Sequence, residues 1–204
     1  MNKKEKREVL KKILTSEDIV SAIKNNKDFL LNIIKELNDI IGFDQRHPHH
    51  HLDLFNHTLL ALSLSNCDFE IRLCLLLHDI GKPYSYQDGD VRHFKGHALK
   101  SSQMTFNILK NLGYDYNFIE EVCYLIKMHD TPLTFEDIKS NYNLSYKRFL
   151  IQYCDCLAHN PLKLDKRIKY LKETTELFKE NYKEFNELDI SDGVIKEHNL
   201  LILK

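Results

Sequence analysis

Apolar residues recur along this chain at steps of three and four, and only six glycines and four prolines interrupt them. That period is helical almost everywhere, and it predicts an all-α protein. Ser16 reads as the cap of a short helix through EDIVSAIKN. Asp28 precedes a second helix in which Leu30, Ile33, Ile34, Leu37 and Ile41 form a stripe that Gly42 ends. Asp53 is placed to cap LFNHTLLALSLS, and the nearly all-apolar run from Ile71 to Ile80 predicts a buried central helix stopped by Gly81. After a turn around Asp88 to Asp90, a helix from about Gly96 to Leu112 ends at Gly113. Another, from about Phe118, sets Val122, Leu125, Ile126 and His129 on one stripe, and a later one gathers Phe149, Leu150, Tyr153 and Leu157 beside Asp155. The last is long and amphipathic, carrying Ile168, Leu171, Thr175, Phe178, Tyr182 and Phe185. No repeat, linker or low-complexity tract divides the chain, so a single domain is expected.

Composition narrows the setting. A chain of 204 residues is long enough to bury roughly 70% of its unfolded surface in one domain. With 29 basic and 30 acidic side chains the formal charge is -1, so no global field draws the protein to nucleic acid or to an anionic membrane. The cysteines Cys67, Cys74, Cys123, Cys154 and Cys156 form no C-x-x-C pair and mostly sit in apolar helical runs. They read as reduced core thiols, which points to the cytoplasm. The N-terminus MNKKEKREVLKK is charged with no apolar segment behind it, and no stretch reaches ~18 apolar residues, so neither secretion nor membrane spanning is expected. No C-x-x-C, G-x-G-x-x-G or G-K-[ST] string supports a zinc-finger, Rossmann or P-loop reading.

The chemistry lies in polar residues where apolar stripes should exclude them. The stretch LCLLLHDIGKP runs straight into His78 and Asp79, and burying an ionisable pair without partners costs several kcal/mol. His57, His97, His129 and Asp155 are embedded likewise, so that five predicted helices each contribute to one set. A lone histidine on an apolar face is ordinarily a satisfied core residue. Imidazoles and carboxylates projecting inward from five helices suit a divalent cation. Neighbours His78 and Asp79 point about 100° apart on a helix, yet at its last turn they can straddle one ion. His129 has a second reading as a cation at a helix C-terminus, and Asp130 reads as a helix-ending carboxylate. Lys82 is placed either to hold a phosphate or to stand solvated. His93 and His97 flank a helix start, where free N–H groups favour an anion; Ser101 and Ser102, one turn on, suit phosphate or close helix packing. His47, His49, His50 and His51 read by default as an exposed loop.

The order H…HD…H…H…D, carried by His57, His78-Asp79, His97, His129 and Asp155, resembles the HD superfamily of metal-dependent phosphohydrolases. GFDQRHPHHHLDLFNHT, LHDIGKP, HFKGHALKSS and ELDIS resemble successive parts of the HD domain carried by bacterial CCA-adding tRNA nucleotidyltransferases, from about Gly42 to Asp192. The resemblance implies an HD domain over residues 1–204, its core at about 42–192 and its N-terminal helices 3–41 packed on that core, with the metal site among the helices. It departs from those transferases in two ways. The first forty residues hold nothing like their nucleotidyltransferase head, and after LDIS their glycine-rich continuation is replaced by DGVIKEHNLLILK. A stand-alone HD domain is implied, without CCA addition.

By this resemblance His57, His78, Asp79 and Asp155 take one ion, and His97 and His129 complete a second with Asp79 bridging. The expected cofactor is one or two divalent ions, Mn, Fe, Ni, Co or Zn rather than Mg. The implied activity is a phosphatase or phosphodiesterase using a metal-activated water on a small phosphorylated substrate, a nucleotide or 2′,3′-cyclic nucleotide favoured. Asp79, Lys82 and His93 are the expected catalytic residues; His50, which aligns with a motif histidine, joins Lys82, His93 and Ser101 around the phosphate. A second reading is a non-catalytic module binding RNA or a protein through Lys163, Lys166, Arg167 and Lys169. Acidic residues interleave later in that helix, and the intact ligand set favours the enzyme.

Overall fold

The computed structural model describes residues 1–66, 68–182, 185 and 188–190. Among these residues there is no strand, only an isolated bridge between Gln87 and His93. The helices are α1 (Lys3–Leu14), α2 (Ile19–Asn25), α3 (Lys27–Ile33), α4 (Leu54–Ser63), α5 (Phe69–Leu77), α6 (His97–Leu112), α7 (Tyr116–Lys127), α8 (Phe135–Ser140), α9 (Tyr142–Leu157) and α10 (Asp165–Asn181). The all-α expectation holds. The expected boundary at 192 and the segment DGVIKEHNLLILK lie outside the described residues, as does Cys67.

Helix α5 is the axis of the fold. Its residues Ile71 to Leu77 are all buried, and α1, α4, α7 and α9 pack around it. A helix apolar on every side needs such a sheath. Its one cation is satisfied by main-chain oxygens: Arg72 Nη1 donates to Leu14 O at 2.8 Å and Ser16 O at 2.6 Å, which fastens the end of α1 to the axis. The N-terminal helices thus pack on α4, α5 and α6.

Caps decide where the helices begin. Asp53, Asp68, Asp115 and Asn141 each accept a backbone N–H of the first turn, satisfying donors that would otherwise be orphaned. Ser16 is not the cap of α2; Asp18 is, accepting the Ser21 N–H at 3.0 Å. The helix expected from Asp28 breaks after Ile33, where Ile34 leaves the helical region at φ -133° and ψ 83°, and resumes as a 3-10 turn over Lys35–Asp39. The tighter turn shifts the stripe, so Leu30, Ile34, Leu37 and Ile40 are buried while Ile33 and Ile41 are only partly so.

Two differences matter for the site. Helix α5 stops at Leu77 instead of Ile80, so His78 to Gly81 form turns. Helix α7 stops at Lys127, so His129 lies beyond it. Helix α10 ends at Asn181, although the Phe185 ring still stacks on Phe178 at 5.1 Å. Among the described residues, no helix is long and apolar enough to cross a membrane.

Candidate metal centre

Five segments converge on one buried cluster. His57 comes from α4, His78 and Asp79 from the turn after α5, His97 from the first residue of α6, His129 from the turn after α7, and Asp155 from the last turn of α9. All six are buried. Close approach of the α5 turn to α6 depends on Gly81: a Cβ there would stand 2.6 Å from His97 O and from Ser101 N. The Gly81 N–H donates to Ser101 Oγ at 2.9 Å.

Each imidazole is fixed the same way. His57 Nδ1 donates to Ala158 O at 3.1 Å, His78 Nδ1 to Leu75 O at 2.7 Å, His97 Nδ1 to Phe94 O at 2.8 Å and His129 Nδ1 to Ile126 O at 2.7 Å. A carbonyl can only accept, so every Nδ1 carries hydrogen and every Nε2 is left to face the cluster. There the Nε2 atoms meet two carboxylates. Asp155 Oδ1 lies 2.9 Å from His57 and 3.5 Å from His78, Asp79 Oδ2 lies 3.2 Å from His78, and Asp79 Oδ1 lies 3.1 Å from His97.

This arrangement fits a divalent ion. His57, His78, Asp79 and Asp155 offer ligand atoms within 4.8 Å of one another, and so do Asp79, His97 and His129. His78 Nε2 and Asp79 Oδ1 are buried with no neighbour in good hydrogen-bonding geometry among the described residues, although each has an oppositely charged group at 3.1 to 3.2 Å; an ion would give both a directed bond. Imidazoles oriented by backbone carbonyls beside carboxylates are a suitable donor set for such a cation.

Electrostatics agree with the geometry. Burial pushes the carboxyls of Asp79 and Asp155 up. For Asp79, His78 and Lys82 more than offset this; for Asp155, His159, His57 and His78 do; both stay well below the usual carboxylate range. Burial opposes charge on His78, yet Asp79 and Asp155 raise its pKa to about 10. His97, likewise against burial, rises to about 9 through Asp130 and Asp79. Burial lowers the pKa of His129, which works against the alternative reading as a helix-terminal cation.

The remaining expected residues fall unevenly. Lys82 is buried, not solvated; its Nζ lies 2.6 Å from Asp79 Oδ2 and donates to Gln45 Oε1 at 3.0 Å. His93 is exposed and lines a cavity of about 500 Å³ that Asp79, His97, His129 and Asp155 line together with His50. Ser101 is fully buried with its hydroxyl taken by Gly81, which is the packing role. The histidine loop is not simply exposed: Asn160 holds it through His49 O at 2.8 Å and Pro48 O at 3.0 Å, and the His50 ring lies 4.5 Å from His159 and 5.4 Å from His57. Burial drives the pKa of His50 far down. Asp130 does more than end a helix, because its carboxylate lies 3.0 Å from His97 Nε2 and 3.4 Å from His129 Nε2.

Sequence reasoning passed over Gln45 and His159. His159 follows Asp155 by one turn, a spacing that puts both on one face, and its Nδ1 donates to Asp155 O at 2.7 Å. Gln45 sits in a loop whose pattern gives no signal.

Residues 54–148 match the HD domain family, a span that takes in His57, His78, Asp79, His97 and His129 and ends shortly before Asp155. The chain is also 31% identical over 110 residues to the A-adding tRNA nucleotidyltransferase of Deinococcus radiodurans, an alignment covering 50% of this chain and 25% of that protein. It therefore spans about a quarter of the length of this curated relative.

Proposed function

We propose, from the HD domain that residues 54–148 of this chain carry, that the protein is a metal-dependent hydrolase of a phosphomonoester or phosphodiester in a small molecule. A nucleotide or 2′,3′-cyclic nucleotide is the favoured substrate, on the likeness to a tRNA nucleotidyltransferase. The observation that carries the reading is the set of buried imidazoles whose Nε2 atoms face two carboxylates on the wall of one cavity.

His57, His78, Asp79 and Asp155 would hold one ion, and Asp79, His97 and His129 a second. The imidazole-rich set suits Mn, Fe, Ni, Co or Zn better than Mg, which favours oxygen ligands. When bound, such an ion acidifies water and neutralises charge on phosphoryl oxygens. The backbone carbonyls behind each Nδ1 keep the ligand set oriented before substrate arrives. Lys82 would steady Asp79 and add positive charge beside it, and His93, which lines the same cavity, would help neutralise charge developing on the phosphoryl oxygens.

The test joins elemental analysis of purified protein to a screen of a generic phosphodiester, a phosphomonoester and 2′,3′-cyclic nucleotides with added Mn²⁺, Ni²⁺, Co²⁺ or Mg²⁺. Bound transition metal and hydrolysis lost on chelation are expected. Unchanged hydrolysis by rigorously metal-free protein overturns the reading.

A further inference from the structure

The cluster's cavity is lined by several cations, and they are not equivalent. Lys82 is already committed to Asp79 and Gln45. Lys95 and Lys127 are exposed, long side chains that water solvates well. Arg167, in the first turn of α10, is different. Its Nε is buried and has no hydrogen-bond partner, and no carboxylate among the described residues lies within ion-pair distance of its guanidinium. The side chain lines both the cavity of about 500 Å³ at the metal cluster and an adjoining one of about 200 Å³ walled by Pro132, Gln152 and Tyr170. His129, Asp130 and Asp155 border both spaces as well.

A guanidinium whose buried edge lacks a partner retains an unmet demand for an acceptor, and its planar fork matches phosphate oxygens in pairs. We infer that Arg167 forms a phosphate subsite, holding non-bridging oxygens of the substrate phosphoryl group against the metal cluster while the smaller cavity receives the organic part of the ester. This rests on the phosphohydrolase reading for its substrate but not for its chemistry, since an anion between Arg167 and a cation cluster binds whether or not it is cleaved.

The probe is orthophosphate, titrated calorimetrically into protein loaded with Mn²⁺. Arg167→Ala is expected to keep its metal content and melting temperature and to weaken phosphate binding about tenfold or more, with Arg167→Lys recovering part of the loss as a point charge without the fork. Lys172→Ala, at an exposed position on the same helix, is the control and should match wild type. For esters that are cleaved, KM should rise in Arg167→Ala by a similar factor. Equal phosphate affinity in wild type and Arg167→Ala, loss of metal in Arg167→Ala, or no phosphate binding by the loaded wild type overturns the inference. Wild type that binds phosphate through Arg167 yet cleaves no ester supports the subsite and counts only against the hydrolase reading.

Discussion

His97 Nε2 and His129 Nε2 face each other at 3.3 Å, while the Nδ1 of each ring is turned away onto the carbonyl oxygen three residues before it. With both Nδ1 atoms donating, two Nε2 lone pairs meet unless something positive lies between them. One proton relieves the contact, and so does one cation. Asp79 Oδ1, 3.1 Å from His97 Nε2 and 3.7 Å from His129 Nε2, favours either. Protons and metal ions therefore compete for the same space.

Metal uptake should release protons. Against burial, carboxylates raise His78 to about 10 and His97 to about 9, so near neutral pH both are protonated before metal arrives and must lose those protons to act as ligands. Calorimetric titration of Mn²⁺ in two buffers of different ionisation enthalpy should show release of about one to two protons per protein, with apparent affinity rising up to pH 9 or so. Heats independent of buffer would contradict this.

The metal-free protein should be most stable near pH 6.5. His78 and His97 have folded pKa values raised above the ordinary 6.5, so their contribution is complete below that pH and is lost as pH climbs through about 9 to 10. His50, His129 and His159 are held down by burial, so their contribution is present above 6.5 and is lost as pH falls below it. Thermal melts in the presence of chelator should fall on both sides, and added Mn²⁺ should flatten the alkaline side. A metal-free melting temperature still rising at pH 9 would refute the assignment.

The candidate ligand set was legible because each member interrupts an apolar stripe. His57, His78, Asp79, His97, His129 and Asp155 are polar where periodicity demands carbon, and all six meet. Helix caps such as Asp53 and the ends of α6 at Gly96 and Gly113 were legible for a similarly local reason. What was hidden depends on contacts distant in sequence. Lys82 reads equally as a phosphate holder or a solvated lysine until Gln45 and Asp79 enclose it, and Ser101 as suited to phosphate or to close packing until Gly81 takes its hydroxyl. The early stop of α5 has no strong signal either, since Ile80 continues the apolar pattern through the turn.

Gly81→Ala should loosen the site without replacing any of its metal-ligand candidates. Gly81 has an ordinary right-handed backbone, φ -81° and ψ -15°, so only space forbids a side chain, but the obstructing atoms include His97 O and Ser101 N at 2.6 Å. Main chain cannot swing aside as a flexible side chain would, and a cost of about 1 to 3 kcal/mol is expected, with the α5 turn pushed off α6. Weaker metal binding should accompany the lower melting temperature. Ser101→Ala is the comparison: it removes the acceptor of the Gly81 N–H at a similar cost but pushes nothing apart, so its metal affinity should be close to wild type. Equal loss of affinity in both variants would assign the effect to general destabilisation.

Asp79→Asn separates a metal ligand from a satisfied core pair. Asp79 is 2% exposed, and its carboxylate lies 2.6 Å from Lys82 Nζ, 3.1 Å from His97 Nε2, 3.2 Å from His78 Nε2 and 3.7 Å from both His57 and His129 Nε2. The amide keeps the shape but removes the one charge common to every nitrogen of the cluster. Metal response should therefore collapse: wild type gains melting temperature with Mn²⁺ by mass action, and Asp79→Asn should gain little. The metal-free variant should also be less stable than wild type, because a buried ammonium has lost its counter-ion; breaking such a pair costs about 3 to 5 kcal/mol. That second effect can be isolated. In Asp79→Asn with Lys82→Met no ammonium is left unpaired, and His78 and His97 can shed the protons that Asp79 helps to hold, so stability should recover much of the loss while the Mn²⁺ response stays absent. Were Asp79 only the partner of Lys82, the double variant would regain both together, or the single variant would melt with the same Mn²⁺ shift as wild type and keep its hydrolysis. Either result would return His78 and Asp79 to the role of a paired core turn at the end of α5.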